Sequence, residues 1–112
     1  MSVDSAIRAA ILPIVPVCEP HRYDGDAAEY CTYNYGIRSA GWGDNHPCVA
    51  VYQVQLHWFL PVGDNPLARQ TQIVQALLAI DTSIPVVADA SDDLCQHYVI
   101  EFEMLGGLYG DI

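Results

Sequence analysis

The stretch VAVYQVQLHWFL, residues 49–60, decides how the rest of the chain is read. Tyr52, Val54, Leu56, Trp58 and Leu60 fall on one side of a period of two, and Val51, Gln53, Gln55, His57 and Phe59 on the other. Aromatic and β-branched residues in strict alternation make a strand with one apolar face and one mixed face. At about 3.3 Å per residue, residues 50–60 extend roughly 36 Å, long for a small domain, so part of the strand is expected to project or bend.

Two further segments share that period. In EYCTYNYG, residues 29–36, Cys31, Tyr33 and Tyr35 point one way and Tyr30, Thr32 and Asn34 the other. In CQHYVIEFEML, residues 95–105, Tyr98, Ile100, Phe102 and Met104 point inward, opposite His97, Val99, Glu101 and Glu103. IVPVCEP, residues 14–20, carries two prolines and suits a short edge segment, and SIPVVADA, residues 83–90, reads as a short strand. The glycine-rich residues 36–47 lack any period and are expected to form a loop, with Trp42 as a contact residue.

Two segments switch to helical spacing. Val3, Ala6, Ile7, Ala10 and Ile11 predict a helix over residues 3–12, capped by Ser2 or Asp4 and stopped by Pro13. In GDNPLARQTQIVQALLAI, residues 63–80, Asn65 is the expected cap, Pro66 the first helical residue, and Leu67, Thr71, Val74, Leu77 and Leu78 the buried stripe. The order α-β-β-β-α-β-β implies one α+β domain over residues 1–112. It is a two-layer fold, with a mainly antiparallel or mixed sheet of four to five strands and both helices on one face. Residues 105–112 are expected to form a loose tail.

A length of 112 residues and an apolar fraction of 52% fit a single core. The four basic residues, Arg8, Arg22, Arg38 and Arg69, are scattered among fourteen Asp and Glu, giving a net charge of −10. Phosphate neutralisation needs clustered cations, so nucleic-acid binding is not expected. No apolar run is long enough to span a bilayer, no secretory leader pattern opens the chain, and the four cysteines are expected to be free thiols in a cytosolic product.

The residues carry no catalytic signature: there is no nucleophile elbow, phosphate loop or dinucleotide fingerprint, and the paired carboxylates fall in turns. His46 with Cys48 and Cys95 with His97 form two pairs at i,i+2 spacing that could together supply four zinc ligands, but buried cysteine as a small hydrophobe is the commoner case. No cofactor and no enzymatic activity are expected; a zinc-stabilised module, a metal-dependent enzyme and an acidic protein adaptor stand as alternatives. Two Trp and seven Tyr with few basic residues match the composition of a protein contact surface.

The segments LPIVPVCEP, YDGDAAEYCTYNYG, DNHP, VYQVQLHWFLP, DNPLARQTQIVQALL and HYVIEFEML, in that order, resemble the tail terminator proteins of long-tailed bacteriophages and prophages. These are also called tail completion, head-tail joining or minor capsid proteins. The shortage of lysine and the LGGLYGDI tail depart from the usual pattern. The resemblance implies a virion protein made in the host cytoplasm, forming a ring, typically of six copies, that caps the tail tube and meets the head connector. It implies Tyr30, Asn34, Arg38, Trp42, His57 and Tyr109 as contact residues. It also implies an acidic lumen past which DNA slides, with Asp24, Asp26, Glu29, Asp92 and Asp93 as candidate lining.

Overall fold

The computed structural model describes residues 2–43 and 46–106, with backbone alone for residues 39–43 and 46–48. Helix α1 (Val3–Ile11) is followed by β1 (Cys18–Pro20), β2 (Tyr30–Gly43), β3 (His46–Leu60), α2 (Leu67–Leu78), β4 (Val86–Asp89) and β5 (Gln96–Gly106). The five strands make one mixed sheet in the order β1-β2-β3-β5-β4. β1 runs parallel to β2, and the other pairs are antiparallel. This is the α+β fold, with the element order, that the alternation predicts.

Both helices lie on one face. Val3, Ala6, Ile7 and Ile11 of α1 and Ile73 and Leu77 of α2 join one apolar cluster with Tyr52, Val54, Leu56, Trp58 and Leu60 of β3. Phe102, Ile100 and Met104 of β5 enter from the flank. Burying the larger of these side chains, at about 1.5–3 kcal/mol each, is what drives the two layers together. Ser2 caps α1, its hydroxyl accepting the Ser5 N–H.

Four expectations are corrected. Residues 36–43 and 46–47 are strand and not loop: β2 continues to Gly43 and β3 begins at His46, with Trp42 opposite Pro47. Register shifts between Ser39 and Gly41 and between Gly41 and Trp42 break the period of two, which is why the sequence pattern disappears there. Leu105 and Gly106 belong to β5, paired with Val51 and Ala50, rather than to a tail. The buried stripe of α2 runs through Ile73 and Leu77, while Leu67 and Leu78 are exposed. Helix α2 also starts one residue late, at Leu67, whose N–H donates to Asn65 Oδ1. Arg69 and Gln70, outside the expected stripe of Leu67, Thr71, Val74, Leu77 and Leu78, are half-buried.

Candidate functional site

The face of the sheet opposite the helices has no second layer among the described residues. Cross-strand partners share a face, so the registers set out its rows: Tyr30, Phe59 and His97; Thr32, His57, Val99 and Ala88; Asn34, Gln55, Glu101 and Val86; Gly36, Gln53 and Glu103. Its middle is polar. Asn34, Gln53, Gln55, Glu101 and Glu103, rimmed by Ile84 and Val86, line a shallow trough of about 560 Å³. Gln53 Nε2 donates to Glu103 Oε2 at 3.2 Å. Amides beside carboxylates on a face this open make a wetted, negatively charged wall.

At one end of this face the polar rows give way to rings. Tyr23 lies 4.9 Å from Tyr30, Tyr30 stacks on Phe59 at 4.7 Å, and Phe59 stacks on His97 at 4.2 Å. Tyr23 reaches this stack by folding over the turn at Gly25, where a Cβ would collide with the Tyr23 hydroxyl and ring. Its hydroxyl accepts the Ala27 N–H at 3.0 Å. His57 Nδ1 and His97 Nε2 are 2.9 Å apart, so one ring donates to the other. Burial, and for His97 also the neighbouring His57, holds both imidazoles below their ordinary pKa, against the opposing pull of Glu101 and Asp92. Near pH 7 the pair is neutral.

The acidic turns gather at this same end. Residues 21–29 lead into the start of β2, residues 61–66 leave the end of β3, and residues 90–95 join the end of β4 to the start of β5. Asp24 pairs with Arg22 at 3.0 Å on the surface, and Asp26 and Asp93 are exposed. Asp92 organises its turn, its Oδ1 accepting the N–H groups of Leu94 and Cys95, and those bonds hold its carboxyl below the usual range. Glu29 has a different job. Its Oε2 accepts the Trp58 Nε1–H at 2.9 Å and lies 2.9 Å from Arg69 Nε. The Arg69 N–H is not aimed along that line, so this second contact is an ion pair and not a directed hydrogen bond. Glu29 therefore ties α2 to β3 instead of facing an open channel.

The other face of β2 explains its tyrosines. Tyr33 and Tyr35 donate to the two carboxylate oxygens of Asp4, at 2.8 and 2.9 Å, stitching the first turn of α1 onto the strand. Burial, then the bond to Asp4, pushes the Tyr35 phenol up to about 12, and Tyr33 moves the same way. Cys18 and Cys31 are opposite one another in the β1–β2 ladder and fully buried. Burial drives the Cys18 thiol up to about 12, and Cys31 rises for the same reason. Thiols so far from ionisation behave as small hydrophobes.

Of the expected contact residues, Tyr30, Asn34, Arg38 and His57 all share the open face. Trp42 is placed opposite Pro47, near the end of β2, by its backbone alone, and Tyr109 lies outside the described residues. The four candidate zinc ligands do not meet. His46 begins β3, while Cys95 and His97 sit beside its far end, where Gln96 pairs with Leu60. His97 lies opposite Phe59, eleven residues along β3 from Cys48, so the two pairs are roughly 35 Å apart at their nearest. Among the described residues, no three His, Cys, Asp or Glu side chains are grouped to hold an ion, and no helix is long and apolar enough to cross a membrane.

Glu101, Glu103 and His97 were visible in sequence as the outward side of β5, yet nothing local marks them as neighbours of Asn34 and Gln55. Only the strand order β2-β3-β5 does that. The chain matches no protein-family model, and a search of curated proteins finds no match.

Proposed function

We propose that this chain is a structural subunit that assembles with copies of itself into a ring, acting as a tail terminator that closes a phage tail tube and joins it to the head. The observation that carries the reading is the sheet with one layer of helices and one uncovered polar, acidic face. A free monomer gains nothing from holding such a wall open; a ring with its helices outward presents it to the lumen. There Glu101, Glu103, Gln53, Gln55 and Asn34 repel and hydrate passing DNA without gripping it, because no cluster of cations is present to neutralise phosphates. In that arrangement the acidic turns bearing Asp24, Asp26, Asp92 and Asp93 form one rim, and the β2–β3 hairpin projects toward the other. No catalysis is assigned to the chain.

Native mass spectrometry and electron microscopy of the purified chain, alone and with polymerised tail tubes, test the reading. The expected result is a closed ring of six copies, free or seated on tube ends. A chain that stays monomeric in the presence of tubes overturns it.

A further inference from the structure

The sheet has two open edges, and their backbone geometry fits one to the other. The Cys31 N–H donates to the Val17 carbonyl, and the Tyr33 carbonyl accepts the His21 N–H, so odd-numbered residues of β2 aim their backbone groups away from β3. The β1 ladder stops at Pro20 opposite Tyr33. Tyr35 and Ile37 therefore turn N–H and C=O groups toward an edge that no described strand covers, up to the irregularity that begins at Ser39. On β4 the Ala90 N–H donates to the His97 carbonyl, so even-numbered residues face β5, and Val87 and Asp89 face outward.

Resting on the ring reading above, we infer that copies join by pairing the outer edge of β2 with the outer edge of β4 in the next copy, Ile37 opposite Val87 and Tyr35 opposite Asp89. Several observations select this occupant and this register. In one sheet β2 and β4 run antiparallel to each other, so sliding a copy sideways brings the two edges together in the antiparallel sense without a flip. The open segment of β2 before the irregularity is about as long as the four residues of β4. Both outward pairs then exchange two hydrogen bonds each. Ile37, 42% exposed in the monomer, gains Val87 of the next copy as a side-by-side neighbour, and Val86, 66% exposed, lies along the stem of Arg38. Ala88 meets Gly36, around which there is open space. Neither open segment contains proline, so the outward N–H groups of Tyr35, Ile37, Val87 and Asp89 are all able to donate.

The register also fixes the shape of the closed assembly. Through Glu101 and Gln55, Val86 is level with Asn34 in its own copy, but it sits opposite Arg38 in the next. Because β1 shares its row with the next copy's β4, each copy adds four strands, and that stagger of four residues is about 14 Å across about 19 Å, a strand tilt of about 36°, near the tilt of closed barrels. An even stagger keeps the polar face continuous. Six copies, twenty-four strands, then close at about 45 Å across the strands.

Gly36 and Ala88 form a non-hydrogen-bonded pair in this register, close enough for a disulfide. The experiment is the double variant Gly36→Cys/Ala88→Cys, with Cys48 and Cys95 replaced by serine, mildly oxidised with and without tail tubes and run on non-reducing gels. A ladder of covalent multimers ending at one closed size, collapsing with reductant and absent from either single variant, is expected. Ile37→Pro, which removes an outward N–H and no β3 bond, is expected to raise the concentration needed for assembly at least tenfold while leaving the monomer's thermal unfolding unchanged. Disulfide dimers from Gly36→Cys alone would mean β2 pairing with β2 about a two-fold axis and overturn the inference. Rings that form without cross-links and ignore Ile37→Pro overturn the edge pairing and leave the ring reading standing. Monomers in the presence of tubes overturn both.

Discussion

The two faces of β3 are built from alternate residues of one strand, yet they answer to different requirements. Tyr52, Val54, Leu56, Trp58 and Leu60 are almost wholly buried under the helices, whereas Gln53 and Gln55 are exposed and His57 and Phe59 half-buried. The covered face is held by apolar area and by two half-buried polar anchors, Asp4 under Tyr33 and Tyr35, and Glu29 beside Trp58. The open face is held by little beyond ring stacking and one imidazole pair. The first face makes the fold; the second is left available. Substitutions that respect this division should be costly on one side and quiet on the other.

The sharpest test is Trp58→Ala. It removes a fully buried indole and the donor that Glu29 accepts from, leaving a cavity between sheet and helices. A loss of about 3–5 kcal/mol is expected in urea unfolding. Gln55→Ala, three residues away on the other face, is expected to stay within about 0.5 kcal/mol of the parent. Comparable losses at the two positions would show that the faces are not energetically distinct.

A smaller effect is expected at Asp4→Ala. Two tyrosine hydroxyls lose their acceptor at the α1–β2 contact, which costs about 1–3 kcal/mol by the same measurement. Asp4→Asn, which keeps an acceptor, should recover part of that loss. If Asp4→Ala is neutral, water satisfies those hydroxyls and α1 is held by its apolar side alone.

How far this division could be read from the letters depends on how local the signal is. Alternation along residues 50–60 and 96–104 is a property of one strand at a time, and it places Trp58, Phe102 and Met104 inward without reference to anything else. Asp4 beneath Tyr33 and Tyr35 joins residues about thirty positions apart, and no periodicity encodes that. Glu29 reads in sequence as one more candidate for an acidic lumen, because its partners, Trp58 and Arg69, come from other elements. Residues 36–47 failed for a different reason: irregular register erased the period while the pairing to β3 persisted. In α2 the expected stripe finds Leu77 but misses Ile73, because Leu67, Thr71, Val74 and Leu78 offer an equally good helical spacing in the letters alone.

The smallest effect belongs to the open face. His57 and His97 both have pKa values depressed below 6.5 in the folded chain, chiefly by burial. As pH falls, the unfolded chain takes up protons first, so the stability tied to the neutral pair is complete above about pH 6.5 and is lost as pH drops through the lower folded values. Each ring is partly exposed, so solvent screening keeps the change below about 1 kcal/mol. Asp89 and Asp92, also depressed but on the surface, titrate below 3.8 and fall outside that window. Unfolding free energy followed from pH 8 to pH 5 should therefore decline gently in the parent and run flat in His57→Gln/His97→Gln. A double variant that keeps the slope would place the titrating groups elsewhere. The open face would then contribute nothing to the monomer that a second copy could not replace.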